Sequence, residues 1–163
     1  MKNTKKSFGA ILLFIALVAG ACASKNPVRE EKMRTVVEAK NFIFKANSIS
    51  PLASTGRRLD LTTGRYNLTL LNGTLSVDLP FIGESVASTI GLDEQAIKFT
   101  TTNFTYDVKN TKKNRWQISI RPQGQQHVNE MILDVYDNGS STLRVNSNTR
   151  QSVSFEGYLV QNQ

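Results

Sequence analysis

Cysteine occurs once in this chain, at Cys22, and histidine once, at His127. Those two residues bound the nucleophilic and metal chemistry open to it. A serine hydrolase needs an imidazole base oriented by a carboxylate, so His127 would have to serve. It follows Pro122-Gln123-Gly124-Gln125-Gln126, at an expected loop-to-strand boundary, and no Gly-x-Ser-x-Gly turn accompanies it. It reads as a solvated loop histidine. Transition-metal sites draw on several nitrogen or sulfur ligands, which one histidine does not supply. Asp134-x-Tyr136-x-Asn138-Gly139 partly matches a calcium loop. Tyr136 falls on a ligand position, however, and no glutamate closes the loop, so the segment reads better as a turn. Asp60, Asp78, Glu84, Glu130 and Glu156 are scattered along the chain. A glycosidase-type pair needs two carboxylates facing each other at about 5–9.5 Å, and that is the enzymatic chemistry left open. No glycine-rich phosphate loop is present. The expectation is therefore no catalytic residue, no metal and no cofactor.

Cys22 has a different chemistry available. Lys2, Lys5 and Lys6 precede an unbroken apolar run from Ile11 to Val18, and Ala19-Gly20-Ala21 then leads into the cysteine. Charge, apolar core and small residues in that order make an export signal. The pattern resembles a bacterial lipoprotein signal, in which the cysteine is acylated and becomes the new N-terminus. Ala19 stands where that pattern usually has a larger aliphatic. Cleavage at an Ala-x-Ala site, after Ala21 or after Ala23, is the rival. The apolar stretch from Phe8 to Ala21 falls short of the ~20 residues that span a bilayer. An anchor with more than one acyl chain attaches a protein stably. The expected organisation is a signal peptide over 1–21, a lipid anchor and tether over 22–32, and a single β domain with an N-terminal helix over 33–163. The expected location is the cell envelope, on the periplasmic face or the outer surface.

The leader also changes the charge argument. The 163-residue chain carries a formal +7. Three of its 20 basic residues and none of its 13 acids precede Cys22, so the chain from Cys22 onward carries +4. Arg57-Arg58 and Lys112-Lys113 with Arg115 fall in expected turns, as solvated charges or as weak contacts to anionic lipid or glycan headgroups. The few aromatic residues fall mostly on inward faces, which disfavours a base-stacking surface, and no nucleic-acid partner is expected. With no second cysteine, the domain has no internal disulfide and relies on hydrophobic burial.

The elements are legible from periodicity. Pro27 suits a first helical position. Met33, Val36 and Val37 share one helical face, and Glu30 and Arg34 are spaced for an ion pair, so one helix is expected from about Val28 to Asn41. From Phe42 the period becomes two. Asn72-Gly73 is a two-residue hairpin signal that pairs Leu70 with Leu75, Leu68 with Val77 and Tyr66 with Leu79. A three-residue loop at Asp137-Asn138-Gly139 pairs Leu133 with Leu143 and Met131 with Val145. A hairpin about Lys112 sets Val108, Tyr106 and Phe104 against Trp116, Ile118 and Ile120. The last strand runs from about Ser152 to Val160. These patterns predict a mainly β fold. It is an antiparallel meander of about nine to ten strands, forming a barrel or a sandwich and preceded by one N-terminal helix. Pro80 to Ala96 is too long for a plain turn. It reads as a plug for one end or as a lip over a binding mouth.

Several pieces of the chain, in order, resemble a bacterial envelope family known as domain of unknown function 4251 (DUF4251). They are Leu61-Thr62-Thr63-Gly64-Arg65-Tyr66, Leu79-Pro80-Phe81-Ile82-Gly83, Ile97-Lys98-Phe99, Trp116-x-Ile118, and Asn148-x-Arg150-Gln151-x-Val153 with Gly157. They span roughly Asn41 to Leu159. Ser85 to Leu92 departs from the family's glycine- and tyrosine-rich run. The resemblance implies an exported, lipid-anchored β domain and supplies no activity. The leading expectation is a non-enzymatic envelope lipoprotein that binds a protein, lipid or glycan partner, or an apolar ligand. Phe81, Ile82 and Arg150 are candidates for its binding surface or for fold-fixing roles. The alternatives are a carboxylate-dependent hydrolase acting on glycan or peptidoglycan, and a small inhibitor or immunity-like module.

Overall fold

A computed structural model describes residues 27–52, 58–62, 64–81, 96–111 and 115–162. Helix α1 (Pro27–Glu38) precedes β1 (Phe42–Pro51), β2 (Leu59–Asp60), β3 (Asn67–Leu71), β4 (Thr74–Leu79) and β5 (Ile97–Thr101). There follow β6 (Phe104–Thr111), β7 (Arg115–Pro122), β8 (Glu130–Tyr136), β9 (Ser140–Asn146) and β10 (Val153–Gln161). All pair in one antiparallel sheet, in the order β5-β4-β3-β1-β10-β9-β8-β7-β6, with β2 lying along β1. The sheet is curled into a half-barrel. Two meanders, β3 to β5 and β6 to β10, thus flank β1, which joins them. The outermost strands, β5 and β6, are consecutive in the chain and are joined through Thr102 and Asn103.

The hairpin chemistry determines most of the register. Asn72 and Gly73 take φ of 49° and 74°, as a tight hairpin turn requires. Leu70 pairs with Leu75 and Leu68 with Val77, as expected. Gly139, at φ 83°, closes the loop that pairs Leu133 with Leu143 and Met131 with Val145. The β6–β7 hairpin is offset from its expected register by two residues. Val108 faces Ile118, Tyr106 faces Ile120, and Phe104 faces Pro122. A two-residue slip keeps every side chain on its face, so the apolar pattern does not discriminate between the two registers. Tyr66 lies outside the β3–β4 ladder, which ends at Asn67 and Asp78. Its carbonyl instead accepts from the Ala46 N–H at 3.0 Å.

The concave face is the core. One inward row crosses six strands through Ile49, Phe155, Leu143, Leu133, Ile118 and Val108. The first five are 0% exposed, while Val108, at the edge, is 39% exposed. α1 covers part of this face. It buries Val36 and Val37 and packs Met33 against the core, and each fully buried aliphatic contributes roughly 1.5–3 kcal/mol. The helix stops three residues short of its expected end. Lys40 adopts φ 51° and its N–H turns back to the Val37 carbonyl, a left-handed helix stop. Arg34 bonds Glu31, at 2.7 Å to one carboxylate oxygen, and not Glu30. The two spacings are equally adjacent on a helix surface, and Glu31 offers both oxygens to one guanidinium nitrogen.

β1 carries the irregularity that makes the curl. Ala46 pairs with Gly157 and Ser48 with Glu156, leaving Asn47 as an extra residue. Such a bulge bends a strand and increases its twist. Opposite it, the strand formed by β2 and β3 is interrupted. The chain leaves β1 where the Leu61 N–H donates to the Asn47 carbonyl at 2.8 Å, and it returns at Tyr66. The Asp60 carboxylate holds that detour by accepting from the Thr62 N–H at 2.8 Å and its hydroxyl at 2.7 Å. These bonds, the backbone one first, lower the Asp60 pKa. Gly157 lets β10 follow the bulge, because a Cβ there would collide with the Lys45 carbonyl. We expect Gly157→Ala to lower unfolding stability by about 2–3 kcal/mol, measured by urea denaturation. Ala at exposed Lys98, on β5, serves as the neutral control.

Candidate functional site

Phe81 and Arg150 come together, although nearly seventy positions separate them. The Arg150 guanidinium lies 5.2 Å from the centre of the Phe81 ring, a cation–π distance. Phe81 is 9% exposed. With Ile97, His127, Val145 and Val153 the pair lines a seam that leaves no room for a water molecule. Ile82, the rest of the long connection through 95, and Cys22 lie outside the described residues. His127 is exposed at the same end, its Nδ1 2.9 Å from the Thr149 hydroxyl.

The carboxylates considered for hydrolysis are engaged with polar partners on the outer face. Asp78 pairs with Lys98, Glu156 with Arg58, and Glu130 with Arg121 at 2.8 Å. Ser119 donates to Glu130 at 2.7 Å, and that bond, followed by Arg121, lowers its pKa. Glu84 lies outside the described residues. Asp134, in the candidate calcium segment, is buried and accepts from Arg115, Gln117 and Arg144 at 2.9–3.2 Å. It ties β7, β8 and β9 together from outside. Among the described residues no group of three metal-ligating side chains occurs.

An open volume lies beside the turn that follows α1, at a mouth of the half-barrel. Four segments meet there around a cleft of about 530 Å³. The turn after α1 contributes Ala39, Lys40 and Asn41, the β3–β4 hairpin Leu70, Asn72 and Gly73, the β5–β6 connection Thr102, and β6 Phe104 and Tyr106. Each is placed by a local rule already visible. The left-handed Lys40 swings its ammonium to 4.9 Å from the centre of the Tyr106 ring. The positive φ of Asn72 and Gly73 folds the hairpin tip over the cleft. The Gln123 N–H donates to the Asn103 carbonyl at 2.9 Å and pins the β5–β6 connection.

The lining is amphipathic. Phe104 and Tyr106 are half-buried rings, and Lys40, Asn72 and Thr102 are exposed polar groups. Among the described residues no acidic one lines the cleft. The buried Asn41 Oδ1 has no partner among the described residues, and an unmatched buried acceptor costs roughly 1–3 kcal/mol until a donor reaches it. Alternation alone puts Phe104 and Tyr106 on the inward face, and Asn72-Gly73 is a turn by its residue types. Their meeting depends on the outermost strands joining through Thr102 and Asn103, which no local pattern reports.

Tyr106 also couples the cleft to the helix, since its hydroxyl donates to the Val37 carbonyl at 2.9 Å. Burial raises its pKa above the ordinary phenol value. The unfolded chain releases that proton from about pH 10 upward, while the folded chain holds it. Stability from this group is therefore fully present below that pH and declines as pH rises above it. Tyr106→Phe should cost about 1 kcal/mol near neutrality and flatten the alkaline decline. Denaturant melts on either side of the phenol range measure both effects.

No described helix is long and apolar enough to cross a membrane. No curated protein matches the chain at a significant level. The fold is similar to the crystal structure of a DUF4251 family protein from Bacteroides eggerthii, with a TM-score of 0.59 at 16% identity, covering 82% of this chain and 88% of that one. At that identity the likeness speaks to the fold alone. The sequence model of the DUF4251 family, a domain of unknown function, matches residues 24–159, and on that extent the chain belongs to the DUF4251 family.

Proposed function

We propose that this protein is an exported, lipid-anchored and non-enzymatic binding domain of the cell envelope, and that its mouth cleft holds a saccharide unit of an envelope or environmental glycan. The observation that carries this reading is the cleft lining. Sugars present an apolar ring face and an equatorial belt of hydroxyls. Phe104 offers an aromatic surface to the first. Asn41, Asn72, Thr102 and Lys40 offer hydrogen-bonding groups to the second. Binding pockets of this kind combine apolar walls with a few placed polar groups. Among the described residues the seam beside Phe81 leaves no space for an apolar ligand, and the cleft lining favours an amphipathic ligand over an apolar one. A carboxylate-dependent hydrolase draws no support from a cleft lined, among the described residues, by no acid.

The anchor follows from the leader. Charge, apolar core, small residues and Cys22 stand in export order, and attachment at Cys22 would leave a short tether before α1. Metabolic labelling with an acyl-chain analogue should mark the wild-type chain and leave Cys22→Ser unmarked, with globomycin blocking maturation of the former. Equal labelling of both would overturn the anchor.

For the ligand, the detergent-extracted full-length chain is applied to an array of bacterial and host glycans. We expect binding to a defined subset, weakened at least about tenfold by Phe104→Ala, a loss of roughly 1.4 kcal/mol, and reduced by Asn41→Ala. Lys98→Ala, at the far end of β5, leaves it unchanged. Failure to bind any glycan, or binding indifferent to Phe104 and Asn41 in variants that fold normally, would overturn the saccharide reading.

A further inference from the structure

We propose that the outer edge of β6 pairs with the same edge of a second copy, joining two half-barrel sheets about a twofold axis through Val108. Among the described residues β6 pairs with β7 alone. It runs for eight residues, and positions 107 to 110 are exposed on both faces. It holds no proline and no bulge, two of the devices that usually protect an edge. β5, at the other end of the sheet, is only five residues long.

Three observations select a second copy as the occupant. The first is the apolar row from Ile49 to Ile118. It is fully buried across five strands and then ends at Val108, 39% exposed. A twofold axis at Val108 continues that row into Val108 and Ile118 of the other copy. The second is charge. Asp107 and Lys109 flank Val108 on the outer face. Antiparallel pairing about Val108 sets each Asp107 opposite a Lys109 and each Thr105 opposite a Thr111, both favourable cross-strand pairs. The third is register. A twofold axis perpendicular to the sheet preserves faces, so only even shifts are allowed. Centring on Asp107 opposes two carboxylates, and centring on Lys109 opposes two ammonium groups. The sequence of β6 is thus complementary to itself in one central register, as a closed symmetric dimer requires. The Asp107–Arg121 contact, 3.9 Å between exposed groups, is too weak to withhold the carboxylate.

The test is oxidative crosslinking of full-length Val108→Cys in whole cells. The wild-type chain, whose only cysteine is Cys22, reports any bridge formed elsewhere. We expect a reducible dimer from V108C and none through that position in the wild type. Adding either Asp107→Lys or Lys109→Asp places like charges opposite each other twice and should weaken dimerisation about tenfold. The combined D107K/K109D exchange restores the complementary pairs and the crosslink. Copies carrying D107K and copies carrying K109D should crosslink to each other in preference to themselves. No V108C dimer above the wild-type level, or a dimer insensitive to these charges, would overturn the proposal. Glycan binding through Phe104 is read on a separate array and stands or falls independently.

Discussion

The junction of β1 and β10 around the Asn47 bulge is the constraint on which this fold depends. Without it the chain contains two separate meanders, each a local product of its turns. β1 lies between them, pairing with β3 on one edge and β10 on the other. The bulge adds one residue to β1 against β10, and on the opposite edge the detour from Leu61 to Tyr66 lets β2 and β3 follow the bend. A regular β1 would fit neither the close approach at Gly157 nor the detour. The sheet would flatten, and α1 would lose the concave surface against which Val36 and Val37 are buried.

Curling has a second consequence at the sheet's edges. β5 and β6 are as far apart as two strands can be in the pairing order, yet Thr102 and Asn103 join them. The curl must bring the two edges together at that end, while nothing in the connectivity requires them to meet at the other end of β6. This is why open volume collects at the mouth near Phe104 and Tyr106, and why the distal part of β6 stays exposed on both faces. The cleft and the exposed edge are two results of one incomplete closure.

The parts of this architecture that could be read from the residues are those in which two independent signals agree. At Asn72-Gly73 the turn chemistry and the apolar pattern select the same pairing, and the pairing holds. At Asp137-Asn138-Gly139 the glycine position distinguishes a three-residue loop from a two-residue one, and the structure has the former. The β6–β7 hairpin had only its alternation to guide it, and alternation is blind to a shift of two. Tyr66 fits the strand by its apolar character, while the hydrogen bond that removes it from the ladder comes from Ala46, twenty residues earlier. The steric necessity of Gly157 depends on a bulge in a strand more than a hundred residues away. The candidate cleft was the least legible feature. It is assembled from a helix stop, a hairpin tip, a connection and an edge strand, whose meeting is a property of the closed sheet and not of any segment.

The outer face narrows where function can reside. On β7, β8 and β9 its charged residues pair with one another across the strands. Asp134 accepts from two arginines and a glutamine, and Glu130 from Ser119 and Arg121. Engaging any of these groups with a ligand means breaking a bond that helps hold neighbouring strands together, so recognition there competes with the fold. At the mouth the balance differs. Lys40 is held over Tyr106 by a backbone conformation and not by an acid, and Asn41 has an acceptor oxygen without a partner. A ligand that supplies a donor to Asn41 and an apolar face to Phe104 adds interactions without displacing any that stabilise the sheet. The same reasoning applies to the exposed edge of β6, whose outward backbone groups have no protein partner among the described residues. Binding at either place completes what the curl leaves open.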